Sequence, residues 1–264
     1  MPDKAKKMEK RILKIRDLTV SYKEKPALKN FSYSFAPGMC YAILGASGSG
    51  KTTLIKAIDF LLPEYAKTYG SIKLNSIILN KDNIASMRGR NISYIVQDPI
   101  SYFNPVYTLY QQLDRASFLL DRSLDKKKRR ELSKEALKFA GLDECAGNLY
   151  PHEASGGMLS RAEIAVAYIE KANLILLDEP TAGLDDKTEK LVLSSLRKLA
   201  KDNNSILIYI SHSLDAVRGY SDECIILKDG VIQESGRTES IFRQSQSEYG
   251  KALISAYHLG GVDA

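Results

Sequence analysis

The sequence predicts an α/β fold: a mostly parallel core sheet, an N-terminal antiparallel β subdomain and an inserted α-helical subdomain. Three observations predict it. The stretch Gly45-Ala46-Ser47-Gly48-Ser49-Gly50-Lys51-Thr52-Thr53 lies between the apolar run at 39–44 and a helical pattern at 54–62. Two more continuous apolar runs, at 174–177 and Ile206–Ile210, have the composition of strands buried on both faces. Between the first run and these two, residues 98–169 are mostly helical in pattern.

Each element can be justified in order. Leu13 and Ile15 alternate with charged residues, and Phe31, Tyr33 and Phe35 alternate with Ser32 and Ser34, which reads as half-exposed antiparallel strands. Pro37-Gly38 punctuates the chain before the buried strand at 39–44. The glycine-rich loop and its helix follow, with Pro63 as the expected stop. Ile72 and Leu74 alternate after Gly70, and residues 93–96 make a short strand ending at Gln97. Asp98-Pro99 and Asn104-Pro105 then break the chain, residues 109–140 are helical in pattern, and Gly141 suits a C-cap. A helix is expected over 159–171, then the strand at 174–177 ending in Asp178-Glu179, and a long helix from 186 to 201. Ile206–Ile210 is the next buried strand, ending at Ser211-His212. Residues 223–234 read as a hairpin whose Asp229-Gly230 turn suits type I′ geometry, and a short helix and a tail at 249–257 close the chain.

Composition narrows the class. The chain has 264 residues, 44% hydrophobic and 27% charged, the profile of a globular protein able to bury a large core. No apolar run approaches the roughly 18–20 residues that cross a bilayer, and the Lys-rich segment 1–14 lacks the apolar stretch of a signal peptide, so a membrane role is expected to be peripheral. Cys40, Cys145 and Cys224 are scattered without C-x-x-C spacing, which argues against zinc, an iron–sulfur cluster or a disulfide framework and fits a reducing cytoplasm. The net charge is +6, but the densest basic run, Lys126 to Arg130, sits in a helical pattern with Glu131 and Glu135 and reads as a solvated helix face.

The chemistry follows from the loop. Glycines at 45, 48 and 50 let the backbone turn its N–H groups toward phosphate oxygens, and the helix start adds its positive end. Lys51 can reach the β- and γ-phosphates of a nucleoside triphosphate, and the Thr52 hydroxyl can hold Mg²⁺. Asp178 ends a buried strand where a carboxylate could hold the metal through water, and Glu179 beside it is placed to act as general base. Gln97 and His212 end two other strands. Each could be structural, but ligands of open α/β sheets bind outside the carboxyl ends of the strands, where all these residues gather. Gln97 could then sense the metal and the water, and His212 could contact the γ-phosphate.

A second anion site stands apart. In Tyr150-Pro151-His152-Glu153-Ala154-Ser155-Gly156-Gly157-Met158, Ser155 and two glycines open a helix. Here the chain resembles the ATP-binding subunits of ABC transporters, whose signature motif, similar to Ser155-Gly156-Gly157, binds the γ-phosphate of ATP held by the opposite subunit of a head-to-tail dimer. The resemblance covers nearly the whole chain in the right order. Tyr22 falls where the family's adenine-stacking aromatic sits, residues 45–53 resemble Walker A, and Gln97 resembles the Q-loop. Residues 174–179 resemble Walker B with the catalytic glutamate, Ala182-Gly183-Leu184-Asp185 the D-loop, and His212 the switch histidine. Three departures stand out: Ser160 for a common Gln, Gly183 for a small residue or Asp, and Ser213 for a frequent Asp. None removes a group that hydrolysis in this subunit needs.

The resemblance implies one ABC ATPase domain over 10–264. Segments 10–97 and 170–245 would form a P-loop NTPase (RecA-like) and β core, 98–169 the helical subdomain and 246–264 a tail. It implies ATP and Mg²⁺ as ligands, a second homologous ATPase subunit in a heterodimer, two transmembrane permeases, a solute-binding protein, no nucleic acid, and a peripheral place on the cytoplasmic face of the membrane. Residues 98–110 would dock the permease; Ile100, Tyr102, Phe103, Val106 and Tyr107 there are equally readable as core or as contact. Gln97-Asp98-Pro99, Tyr150-Pro151-His152-Glu153 and the tail resemble the oligopeptide, dipeptide and nickel import branch. The missing tail cysteines and short C-terminus favour nickel or a metal chelate slightly over peptides. Rival readings are an ATPase of a soluble phosphonate-degrading complex, a nucleic-acid-linked ABC ATPase, and a non-hydrolysing nucleotide-gated module.

Overall fold

Two sheets and a layer of helices make up the molecule. The computed structural model describes residues 12–96, 98–181 and 183–260, with side chains to residue 256. The chain begins with β1 (Leu13–Tyr22) and β2 (Lys25–Phe35), then β3 (Cys40–Leu44), α1 (Lys51–Ile58), β4 (Ala66–Leu74) and β5 (Ile77–Ile78). A short α2 (Ile84–Met87) leads to β6 (Ile92–Ile95). The helical stretch holds α3 (Pro99–Tyr102), α4 (Leu109–Leu120), α5 (Lys126–Phe139) and α6 (Gly156–Glu170). The remaining elements are β7 (Leu174–Asp178), α7 (Asp186–Asp202), β8 (Ile206–Ile210), α8 (Leu214–Tyr220), β9 (Glu223–Lys228), β10 (Val231–Arg237), α9 (Thr238–Arg243) and α10 (Glu248–Gly260).

The antiparallel sheet has the order β2-β1-β4-β5, and the larger sheet the order β10-β9-β3-β8-β7-β6, parallel except for the β9–β10 hairpin. Strands β3, β7 and β8 are buried at every position, as their unbroken apolar runs predict. Their alternate residues feed two cores. Tyr41, Ile43, Leu176 and Ile208 face α1 and the antiparallel sheet, while Ala42, Leu44, Leu177 and Tyr209 face the helices. A side chain of this size, fully buried, contributes about 1.5–3 kcal/mol, so the parallel sheet anchors both layers.

Three helix boundaries differ from expectation. The first helix stops at Ile58, short of Pro63: Phe60 turns left-handed at φ 55, and its N–H and that of Leu61 reach back to Ala57 O at 3.2 Å and Lys56 O at 2.8 Å. The 109–140 pattern is two helices, because Asp125 caps α5 through the Lys128 N–H at 2.8 Å. The helix expected from 159 starts at Gly156, capped by Ser155. Gly141 at φ 70 closes α5, with Leu142 N donating to Leu137 O at 2.9 Å. At the hairpin turn Asp229 and Gly230 both take positive φ, 49° and 78°, the type I′ pattern. The aromatic segment after β6 is divided: Phe103 is buried and Tyr102 packs on the helical core, whereas Ile100, Val106 and Tyr107 are exposed.

Candidate functional site

Strand register brings the predicted residues together. Ile43 of β3 pairs with Ile210 of β8, and Ile210 pairs with Asp178 of β7. The loop after β3, Ser211-His212 after β8 and Glu179 after β7 therefore leave the sheet side by side at its carboxyl edge.

The phosphate loop is held in shape by its own backbone. Gly45, Gly48 and Gly50 have φ of 147°, 77° and 105°. A Cβ on Gly45 would lie 2.2 Å from Leu227 O and one on Gly50 2.5 Å from Ala27 O, so these two positions admit only glycine. Lys51 Nζ curls over the loop and donates to Gly45 O at 2.8 Å and Ala46 O at 3.0 Å. Burial lowers the Lys51 pKa, opposed by the nearby Glu179 and Asp178. Ser47 and Gly48 are exposed at the loop tip, and Thr52 and Thr53 are half-buried in the first turn of α1.

The carboxylates meet that turn. Thr52 Oγ1 donates to Asp178 Oδ1 at 3.1 Å; burial raises the Asp178 pKa and this hydrogen bond pulls it back. Glu179 adopts φ 52, a left-handed conformation costing a non-glycine residue about 1–2 kcal/mol. Its Oε1 lies 2.8 Å from His212 Nε2. The oxygen donors fit Mg²⁺ on a phosphate: the Thr52 hydroxyl and the Asp178 carboxylate are hard ligands of the kind magnesium takes beside phosphate oxygens. Ser49 Oγ is a buried polar atom with no hydrogen-bond partner, at the floor of the same loop. Among the described residues no cluster of three or more His, Cys, Asp or Glu could hold a metal by itself.

Tyr22, at the end of β1, is brought to the same turn, its hydroxyl 3.3 Å from Thr53 Oγ1 and its ring 6.2 Å from that of Tyr65. Gln97 lies outside the described residues. Ser155-Gly156-Gly157 form a separate helix start: Ser155 Oγ accepts the Met158 N–H at 3.3 Å, and both Ser155 and Gly156 are exposed. Among the described residues no hydrogen bond joins this segment to the phosphate loop. A Cβ on Gly157 would instead lie 3.3 Å from Thr188 Cγ2, beside Asp185, which caps α7 by accepting from Lys187 N, Thr188 N and Thr188 Oγ1.

Residues 28–182 match the model of the ABC transporter family. The chain belongs to that family. It is 30% identical over 260 residues to the peptidoglycan transport ATP-binding protein YejF of Agrobacterium fabrum, covering 94% of this chain and 47% of that protein. It is 31% identical over 262 residues to the dipeptide transport ATP-binding protein DppD of Bacillus subtilis, covering 94% and 77%. The chain thus spans about half the length of some curated relatives it matches and about three quarters of others. The ABC cassette MJ0796, solved as a dimer in a post-hydrolysis state with ADP and Pi, aligns at a TM-score of 0.76 and 28% identity over 86% of this chain and 98% of that one.

Within this ABC cassette two contacts with the phosphate loop escape a reading of the sequence. Gly230, in the hairpin turn, donates its N–H to Ser49 O at 3.0 Å, and a Cβ there would lie 2.6 Å from Ala27 O, so the turn wedges between β2 and the loop. The Tyr249 hydroxyl, in α10, accepts the Ala46 N–H at 2.9 Å. The tail's resemblance to one branch of the family was the only sign that it mattered; nothing local to Tyr249 points at residue 46.

Proposed function

We propose that this chain is an ATP-binding and ATP-hydrolysing subunit that powers an ABC importer. One observation carries it: Lys51, Thr52, Asp178, Glu179 and His212 converge at the carboxyl ends of three adjacent parallel strands, in the first turn after a glycine-constrained loop. The loop amides and Lys51 neutralise phosphate charge. Thr52 and Asp178 would hold Mg²⁺, which would supply charge neutralisation at the phosphates, and we assign Gln97 to the same ion from its resemblance to the Q-loop. Glu179 takes the proton of the attacking water, and His212 orients its carboxylate and faces the γ-phosphate. Tyr22 stacks on the base.

Ser155-Gly156-Gly157 present an exposed helix start that suits a phosphate held by another subunit, with Asp185 beside it at the dimer surface. ATP between Lys51 of one subunit and Ser155 of the other acts as an adhesive, and hydrolysis removes it, opening the dimer. Relatives named for transport and a cassette solved as a dimer support this reading. We extend it to a heterodimer with a second ATPase, two permeases and a solute-binding protein, at the cytoplasmic face of the membrane. Among the described residues no helix is long and apolar enough to cross a membrane. The exposed Ile100, Val106 and Tyr107 form the permease contact. Segments 10–97 and 170–245 are the ATPase core, 98–169 the helical subdomain and 246–264 the tail. Nickel has no counterpart among the relatives named above, whose names specify peptidoglycan and dipeptides, so we assign a peptide-type cargo.

The test is a pull-down from native membranes in mild detergent, paired with MgATP-dependent phosphate release by the complex it captures. Two permeases and a second ATPase among the companions support import. Phosphate release with only soluble enzymes as companions overturns transport and leaves the ATPase; no phosphate release overturns both.

A further inference from the structure

The tail of the chain grips the phosphate loop at a point that the nucleotide chemistry leaves unaccounted for. Residue 46 is held from both sides. Its carbonyl accepts from Ser49 N at 3.2 Å and from Lys51 Nζ at 3.0 Å, while its N–H donates to the Tyr249 hydroxyl at 2.9 Å, 203 positions away. Ala46 is exposed, so without that hydroxyl its amide would face water and only the carbonyl side would be fixed.

The tyrosine is delivered there by a built turn. The Glu234 carboxylate of β10 accepts four hydrogen bonds from the segment before α10: from Ser245 Oγ at 2.5 Å, Gln246 N at 2.9 Å, Ser247 N at 3.1 Å and Ser247 Oγ at 2.9 Å. Gly250 N donates to Ser247 Oγ at 3.0 Å, and a Cβ on Gly250 would lie 2.2 Å from Ser245 Oγ and 2.9 Å from Glu234 Oε2. A side chain after Tyr249 would therefore displace the very hydroxyls and carboxylate that close the turn. Lys228 Nζ sits 5.1 Å from the centre of the Tyr249 ring, and Ile254, further along α10, is buried in the helical core. The Tyr249 ring and Leu253 also pack against that core, and the Glu234 turn fixes where along it the hydroxyl emerges.

We propose that Tyr249 is a positioning residue for the nucleotide: held out by the Glu234 turn, its hydroxyl pins the Ala46 peptide and so fixes the loop whose other amides, such as those of Ser47 and Gly48 at its exposed tip, face the phosphates. The inference rests on the ATP reading above. A loop already in its bound shape costs less to order when ligand arrives, so the latch acts on affinity and leaves the chemical step alone.

Tyr249→Phe removes one oxygen and keeps the ring. In the full-length, nucleotide-free chain, amide hydrogen exchange of the peptide containing Ala46 should quicken. The loss of one hydrogen bond should raise KM and Kd for MgATP about 3- to 10-fold. kcat and the thermal midpoint of the nucleotide-free protein should stay near wild type. Glu234→Gln, which leaves Tyr249 intact and loosens its turn, should move exchange and KM the same way by less. Exchange at Ala46 unchanged in Tyr249→Phe overturns the proposal, as does faster exchange with an unchanged KM. A raised KM accompanied by a matching fall in kcat or in thermal midpoint also overturns it, marking a catalytic or merely structural group. Wild-type chain that fails to bind MgATP overturns the ATP reading as well, whereas wild-type binding equal to that of Tyr249→Phe removes the latch alone.

Discussion

His212 Nε2 and Glu179 Oε1 lie 2.8 Å apart, although 33 positions separate the residues in the chain. Adjacent parallel strands cause this: Asp178 is in register with Ile210, so the residues just beyond both strands emerge as neighbours. Glu179→Gln should bind MgATP normally and lose hydrolysis by about 10²–10⁴-fold, the share of a general base, and should accumulate as a nucleotide-bound dimer. His212→Ala should lower turnover with a smaller change in affinity. Phosphate release and size-exclusion chromatography with MgATP measure both, and turnover at the wild-type rate in Glu179→Gln would remove the base assignment.

Ser155 caps α6 and is exposed, so its two roles separate by experiment. Ser155→Ala should cost about 1 kcal/mol of stability as a lost cap. MgATP affinity of the single subunit should remain, while nucleotide-dependent dimerisation and hydrolysis should fall sharply. Binding titration on dilute protein, set beside light scattering with MgATP, checks this; normal dimerisation would mean that the segment is a helix cap and nothing more.

Two glycines of one loop should respond differently to the same change. A Cβ on Gly45 meets Leu227 O at 2.2 Å and Ser49 Oγ at 2.5 Å, whereas one on Gly48 meets no heavy atom within 4 Å. Gly48→Ala should therefore cost only the backbone term, about 1–2 kcal/mol, and Gly45→Ala considerably more, with loss of nucleotide binding. Thermal unfolding of the two variants side by side gives the order.

Buried carboxyls on α6 set a pH dependence. Burial pushes Glu163 up to about 8, opposed by the Val96 amide and helped by Asp98, and pushes Glu170 up to about 7, opposed by the Ser93 hydroxyl. The buried phenol of Tyr102 lies close to both, its own pKa raised by burial and by their charges. With folded values above the unfolded ones, the native state holds the protons more tightly. Their stabilisation is complete below the ordinary carboxylate range and is lost as pH rises, first through about 7 and then through about 8. Stability should drop on the order of 2 kcal/mol between about pH 6 and pH 9 from Glu163. Glu163→Gln should flatten the curve, and denaturant unfolding at several pH values checks it.

Legibility followed locality. The phosphate loop, the strand-end acids and the I′ turn of the hairpin could be read because each depends on neighbouring residues: glycines where φ is positive, apolar runs where both strand faces are buried, Asp-Gly where two left-handed residues meet. The stop of α1 could not. Leu61 and Leu62 continue an apolar pattern, but Asp59 is buried against Arg88, Nε to Oδ2 at 3.0 Å, and that pairing spans 29 positions. The break between α4 and α5 carries no glycine or proline and shows only in the capping by Asp125.

By itself, the sequence determined the chemistry we propose for this chain, because the glycine-rich loop and the strand-end carboxylates are contiguous motifs whose residue types that chemistry dictates. Only the tertiary structure decided which groups share the site. Strand register joins His212 to Glu179, the hairpin turn buttresses Ser49, and a tail hydroxyl reaches Ala46. Such contacts arise from how separate elements pack, and no local pattern in the chain encodes the distance between two of its surfaces.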